Sequence, residues 1–235
     1  MHRLHRALLV LLLAGSPAAA QDSAVTYRAS WRDAVSVGVA GGLYLLPSAI
    51  GLPSGPPSCA PCDRATLSGI ERFAAHPINA ASGRGSNVLL AGVLGLTTFA
   101  TVQGSTGDQW RGNAAVVTNA VAWTAASTEW LKVTIRRERP VLYTPDAAAA
   151  AGNPGNQESF PSGHASVAFA AATSYLVLAR REHLRHRTRN ALLLYGGAAA
   201  VSALRVAAGK HFPTDVVAGA ALGSGIGWLV ATIHR

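Results

Sequence analysis

Six apolar segments of near-helical length organise this chain, roughly Ala34–Leu46, Val88–Val102, Ala114–Leu131, Ala165–Ala179, Ala191–Ala208 and Val216–Ile233. None alternates with period two, and all are rich in Ala, Leu and Val, so each reads as a helix. The connections carry Gly, Pro, Ser and Asp, including the long Asp146–Asn156 stretch with its alanine run, and read as loops. The sequence therefore predicts an all-α fold, an antiparallel bundle of about six helices. No internal repeat interrupts it, and 235 residues suit one helical domain.

Composition suits either a membrane bundle packed through small residues or a very Ala-rich soluble bundle. Hydrophobic residues make up 49% of the chain and charged residues only 13%, below the charged share usual in soluble domains. The last segment carries Gly219, Gly223 and Gly227, a ladder of small residues that lets another helix backbone approach closely. Close packing of this kind also serves an Ala-rich soluble bundle. Arg180, Arg181, Arg185, Arg187 and Arg189 crowd the short connection between the fourth and fifth segments, and short basic loops stay cytoplasmic. The first segment meets Pro47 after about 13 apolar residues, too few to cross where ~20 are needed. Five spans are expected, with Ala34–Leu46 at the interface or against the bundle.

Residues 1–20 read as a secretory leader: a basic start, the apolar run Ala7 to Gly15, then Ser16-Pro17-Ala18-Ala19-Ala20 as a cleavage site. Residues 21–235 are then the helical domain, with its core at 86–235. The expected location is the bacterial cell envelope, in the inner membrane with the site facing the periplasm. A soluble periplasmic bundle fits the same lengths. Without Arg3 and Arg6 the formal charge of +9 falls to about +7, which favours anionic partners. No zinc finger, basic zipper or aromatic RNA-binding sheet is present, so nucleic acid is not among them. The cysteines form Cys59-Ala60-Pro61-Cys62 in a Pro-rich loop. No second pair completes a zinc site, so a local disulfide is the expectation in an oxidising compartment.

Three polar blocks end these apolar segments: Lys132 with Arg139-Pro140, then Pro161-Ser162-Gly163-His164, then Arg205 with His211 and Asp215. Antiparallel packing would gather them at one end. Phosphoryl transfer needs cations on the non-bridging oxygens, an in-line nucleophile and a proton for the leaving group. Lys132 and Arg139 flank a helix end that Pro140 would stop. Taken alone, with Arg136 and Arg137 between them, they read as an ordinary basic helix terminus. Ser162 can cap the fourth helix while the Gly163 N–H stays open to an anion, and His164 can donate a proton. A bare polar helix end accounts for that block equally well. His211 and Asp215 are four apart, so the carboxylate can accept from one ring nitrogen and leave the other to attack.

K-x6-R-P, then P-S-G-H, then R-x5-H-x3-D resembles the three-part signature of the type 2 phosphatidic acid phosphatase and haloperoxidase superfamily, from Lys132 to Asp215. The run Ser159 to Ala165 looks more like its membrane-bound lipid phosphatases than its soluble acid phosphatases. The resemblance implies that His211 is the nucleophile of a phosphohistidine intermediate, oriented by Asp215. His164 would protonate the leaving group and then activate water. Lys132, Arg139, Arg205, Ser162 and the Gly163 amide would hold the phosphate, with no metal or cofactor. The alternatives are a soluble periplasmic non-specific acid phosphatase and a vanadate-dependent haloperoxidase, vanadate mimicking the phosphoryl group within the same cage. Phosphatidic acid, undecaprenyl pyrophosphate, lipid A phosphate and small monoesters all fit as substrates. Leu204 stands where the family usually has Ser before the third-block Arg.

Overall fold

The computed structural model describes residues 26–234; the expected leader, residues 1–20, lies outside them. The described chain is all-helical, without strands. Its elements are α1 (Trp31–Ala49), α2 (Gly69–Arg72), α3 (Ala80–Gly104), α4 (Gln109–Ile135), α5 (Ala147–Ala150), α6 (Gly163–Arg181), α7 (Arg187–Ala207) and α8 (Pro213–Ile233). The six long helices correspond one to one with the six apolar segments. Short 3-10 turns occupy Arg64–Thr66, Pro140–Tyr143 and Pro154–Gln157. The stretch Asp146–Asn156, expected as loop, thus holds α5 and the start of the last of these turns.

The helices outrun the apolar segments because polar caps set their ends. Asn79 accepts from the Ser82 N–H and starts α3 well before Val88. Pro140 does not stop α4, contrary to expectation. Arg136 takes a left-handed conformation (φ 51°) just after Ile135, and its N–H closes the last turn on the Lys132 carbonyl at 2.9 Å. Pro47 also fails to break α1, which continues to Ala49. A proline has no N–H for the carbonyl four residues earlier, here Leu43. That carbonyl accepts instead from the Trp130 indole of α4 at 2.9 Å, so the proline leaves it satisfied. Trp123 supports the same seam by donating to Ser36 Oγ at 2.9 Å.

α6 is the central helix, packed on α3, α4, α7 and α8, while α1 lies on α4. Its contact with α8 is set by the glycine ladder. A β-carbon on Gly219 would sit 2.6 Å from the Ser162 carbonyl oxygen, and one on Gly227 would sit 2.7 Å from that of Ala170. A β-carbon on Gly223 would overlap the Ser166 carbonyl. The two backbones meet through Gly on one side and Ser and Ala on the other, the small-residue geometry of membrane helices. The main core gathers Val93, Val116, Tyr175, Leu178, Leu194 and Val201 between these helices.

Among the described residues three helices, α3, α7 and α8, are long and apolar enough to cross a membrane by length and composition. Two more were expected. α4 carries Asn113, Asn119, Glu129 and Lys132, and α6 is made largely of Ala and Ser with basic residues at its end. α1 also falls outside this set, as the sequence suggested. Large apolar side chains face outward on these elements: Val88 and Phe99 on α3, Leu192 and Leu193 on α7, and Val217 and Trp228 on α8. That outward face suits lipid.

Candidate active site

Antiparallel packing brings the three blocks together at the end where α4 finishes and α6 and α8 begin. Ser162 N–H donates to the Asp215 carbonyl at 3.0 Å, which ties the second block to the third. The Lys132 ammonium lies 3.7 Å from where a β-carbon on Gly163 would stand, which ties the first block to the second. Arg139 spans the remaining gap. Its guanidinium donates to the carbonyls of Gly155 (2.8 Å), Glu158 (3.3 Å) and Lys210 (3.4 Å).

His211 is buried, 2% exposed. Its Nδ1 is 2.7 Å from the Ser159 carbonyl. A carbonyl only accepts, so Nδ1 carries the proton and Nε2 keeps a lone pair. Nε2 faces the Arg205 guanidinium at 3.4 Å. Burial, then Arg139 and Arg205, hold the His211 pKa well below the ordinary imidazole value. The ring is therefore neutral at neutral pH, as a nucleophile must be.

The expected bond from His211 to Asp215 is not made. Asp215 Oδ2 lies 3.7 Å from Nδ1, because residue 215 falls in the first turn of α8. There its carboxylate accepts from the Phe212 N–H (2.8 Å) and from Ser159 Oγ (2.6 Å). Ser159 thus stands between the two, bonded to His211 through its carbonyl and to Asp215 through its hydroxyl. Asp215 also pairs with Arg137 at 2.5 Å.

Ser162 occupies the N-cap position of α6, yet its side chain makes no capping bond. Its Oγ is buried without a protein partner, as is Arg205 Nε. Buried polar groups are ordinarily bonded, and an anion's oxygens would satisfy both. His164, in the first turn of α6, is 2.7 Å from Asn87 Oδ1 of α3 through Nε2. Burial, followed by Arg205, Lys132 and Arg139, pushes its pKa down to about 4. Lys132 is less free than the motif implied: it pairs with Glu129 at 3.0 Å and lies 4.0 Å from Glu158. Burial lifts Glu158 above the usual carboxylate range, and Lys132 works against that rise.

Cys59 and Cys62 are joined in a disulfide. Their loop braces the first block from outside. Cys62 N–H donates to the Leu142 carbonyl (2.7 Å), while Arg136 reaches the Ser54 carbonyl (2.8 Å) and Gln157 the Gly55 carbonyl (2.8 Å). Leu204 is half-buried and lies near Gly85 of α3 rather than offering a hydroxyl.

Residues 113–235, more than half of the chain, match the family model of the PAP2 superfamily. The chain belongs to that superfamily. Its chemistry is of the phosphatase and haloperoxidase type, and a phosphoester hydrolase is the class that membership supports. No curated protein and no solved structure matches the chain. Groups that the sequence did not single out touch the motif residues, among them Ser159, Asn87 and Arg137, and Glu71 joins them through Arg137. Ser159 sits just before the second block and could have been weighed with it. Asn87 and Glu71 lie before the matched region, and nothing local marks them.

Proposed function

We propose that this protein is a metal-independent phosphatase of lipid or isoprenoid phosphates that works through a phosphohistidine on His211. The observation that carries the reading is the held imidazole of His211, its Nδ1 on the Ser159 carbonyl and its Nε2 beside Arg205. Arg205, Arg139, Lys132, Ser162 Oγ and the Gly163 N–H would bind the non-bridging oxygens. Their positive charge stabilises the transition state, and the Arg forks suit phosphate geometry. Nε2 attacks phosphorus in line, and the ester P–O bond breaks. The negative charge of the bound phosphate offsets the cations that depress His164, so the ring takes up a proton in the complex and passes it to the departing oxygen. The same His164, now neutral, takes a proton from water as the water oxygen attacks phosphorus; the P–N bond breaks, its electron pair returns to Nε2, and inorganic phosphate leaves.

The lipid class is supported by the outward apolar face and by the three helices able to cross a membrane. A periplasmic site is supported by the basic connection. α6 begins at the site with Gly163 and ends at Arg180 and Arg181, so the arginines lie at the opposite end. Positive residues stay on the cytoplasmic side.

The test is phosphate release by detergent-extracted protein from p-nitrophenyl phosphate, phosphatidic acid and an isoprenyl pyrophosphate, with EDTA present. EDTA-resistant release, faster from the lipids, is expected. No release from any of them by folded protein contradicts the reading, and vanadate-dependent halide oxidation in its place would make the protein a haloperoxidase.

A further inference from the structure

Both supports of His211 trace back to Arg137, a residue outside the three-part signature. Its guanidinium donates to Asp215 Oδ1 at 2.5 Å and to Thr214 Oγ1 at 2.7 Å, and a second nitrogen donates to Glu71 Oε1 at 2.5 Å. Thr214 Oγ1 in turn donates to the same Glu71 oxygen at 2.6 Å. The guanidinium lies 4.5 Å over the Phe212 ring. The Arg137 carbonyl accepts from Ser159 N–H at 2.9 Å. One residue therefore holds Phe212, Thr214 and Asp215 from its side chain, and Ser159 from its backbone.

We propose that Arg137, backed by Glu71 of α2, is a positioning residue for His211, fixing the ring through Ser159 and Asp215 and cancelling the Asp215 charge beside it. The proposal rests on His211 being the nucleophile. The charged groups around His211 are Arg139, Arg205 and Lys132 from the first and third blocks, with Asp215 at 3.7 Å. Asp215 is fully buried. Left unpaired, its carboxylate would favour the imidazolium and remove the lone pair that attacks phosphorus. Arg137 stands on the far side of that carboxylate and takes up its charge. Glu71 completes the arrangement: bonds from Thr214 and Arg137 outweigh its burial and hold it below its ordinary carboxylate value. It keeps Arg137 bonded on both sides.

The experiment compares Arg137→Ala, Arg137→Lys, Glu71→Gln and His211→Ala with wild type, reading kcat, KM and the pH dependence of kcat/KM. Arg137→Ala is expected to lower kcat by ~10²-fold, the cost of a misplaced catalytic group, with KM little changed. Its acid limb should move to higher pH, because His211 then protonates more readily. Arg137→Lys keeps the charge and should return the acid limb to its wild-type position with part of kcat. Glu71→Gln, which loosens Arg137 and removes a negative charge, should give a smaller loss of kcat with no upward move of the acid limb. Wild-type kcat and acid limbs in the Arg137 variants, with His211→Ala inactive, would overturn the positioning role alone. A loss confined to KM or thermal stability would overturn it equally. Activity retained by His211→Ala would overturn the underlying reading instead. If Arg137→Ala does not fold, wild-type kcat in Glu71→Gln rejects the proposal.

Discussion

The Ser159 carbonyl accepts the Nδ1 proton of His211 at 2.7 Å, so the carboxylate of the H-x3-D motif acts on the ring at one remove. A backbone acceptor fixes the tautomer as firmly as a carboxylate does, and it adds no full negative charge beside the nucleophile. The surrounding cations then keep the ring neutral.

His164 should matter in proportion to how poor the leaving group is. In His164→Gln, hydrolysis of an alkyl phosphate is expected to fall ~10²–10⁴-fold, the range for loss of a general acid. p-Nitrophenyl phosphate, whose leaving phenolate needs little protonation, should lose far less in its first step. Steady-state rates with both substrates, and the size of any p-nitrophenol burst, check this. Equal losses in the burst phase would remove His164 as the acid.

The same residue links stability to pH. Its pKa is about 4 in the folded protein against an ordinary 6.5. The unfolded chain therefore binds the proton more readily, and stability falls as pH drops. The contribution of His164 is fully present above about pH 6.5 and is lost as pH falls toward about 4. Between pH 7 and 4.5 the Tm of wild type should drop further than that of His164→Gln. Thermal melts of both proteins across that window test it. Parallel curves would contradict the shift.

The α6–α8 contact predicts opposite effects for two neighbouring glycines. Gly223→Ala places a methyl against the Ser166 carbonyl, and overpacking of this kind costs roughly 1–3 kcal/mol. Gly225→Ala meets nothing within 4 Å and should gain up to ~1 kcal/mol from helix propensity. Thermal unfolding in detergent separates them: a lower Tm for the first and an equal or higher Tm for the second. Equal destabilisation by both would mean that α8 does not seat on α6 as described.

Much of this was legible in the chain. The apolar segments placed all six long helices, and the glycine ladder pointed to a backbone-close contact whose partner only the fold supplies. The three blocks carried the site because each is local and repeats a family pattern. What escaped the sequence depends on distance. Pro47 looked like a break because its remedy, the Trp130 indole, arrives from another helix. Arg137 looked like filler between Lys132 and Arg139 because Glu71 and Asp215 lie 66 and 78 positions away. The H-x3-D spacing suggested a direct bond, but the helical start at Pro213 turns the carboxylate onto its own cap and Ser159. The short caps at Asn79 and Arg136 moved helix ends that hydropathy alone put inside the apolar runs.

The central claim is that His211 carries the phosphoryl group. The direct measurement is rapid quenching of the protein with phosphorus-labelled substrate, wild type beside His211→Ala, followed by acid and alkali treatment of the denatured chain. A label on wild type that survives alkali, is lost in acid and is missing from His211→Ala is the predicted result. The same label on His211→Ala, or turnover at the wild-type rate by that variant, would contradict the account.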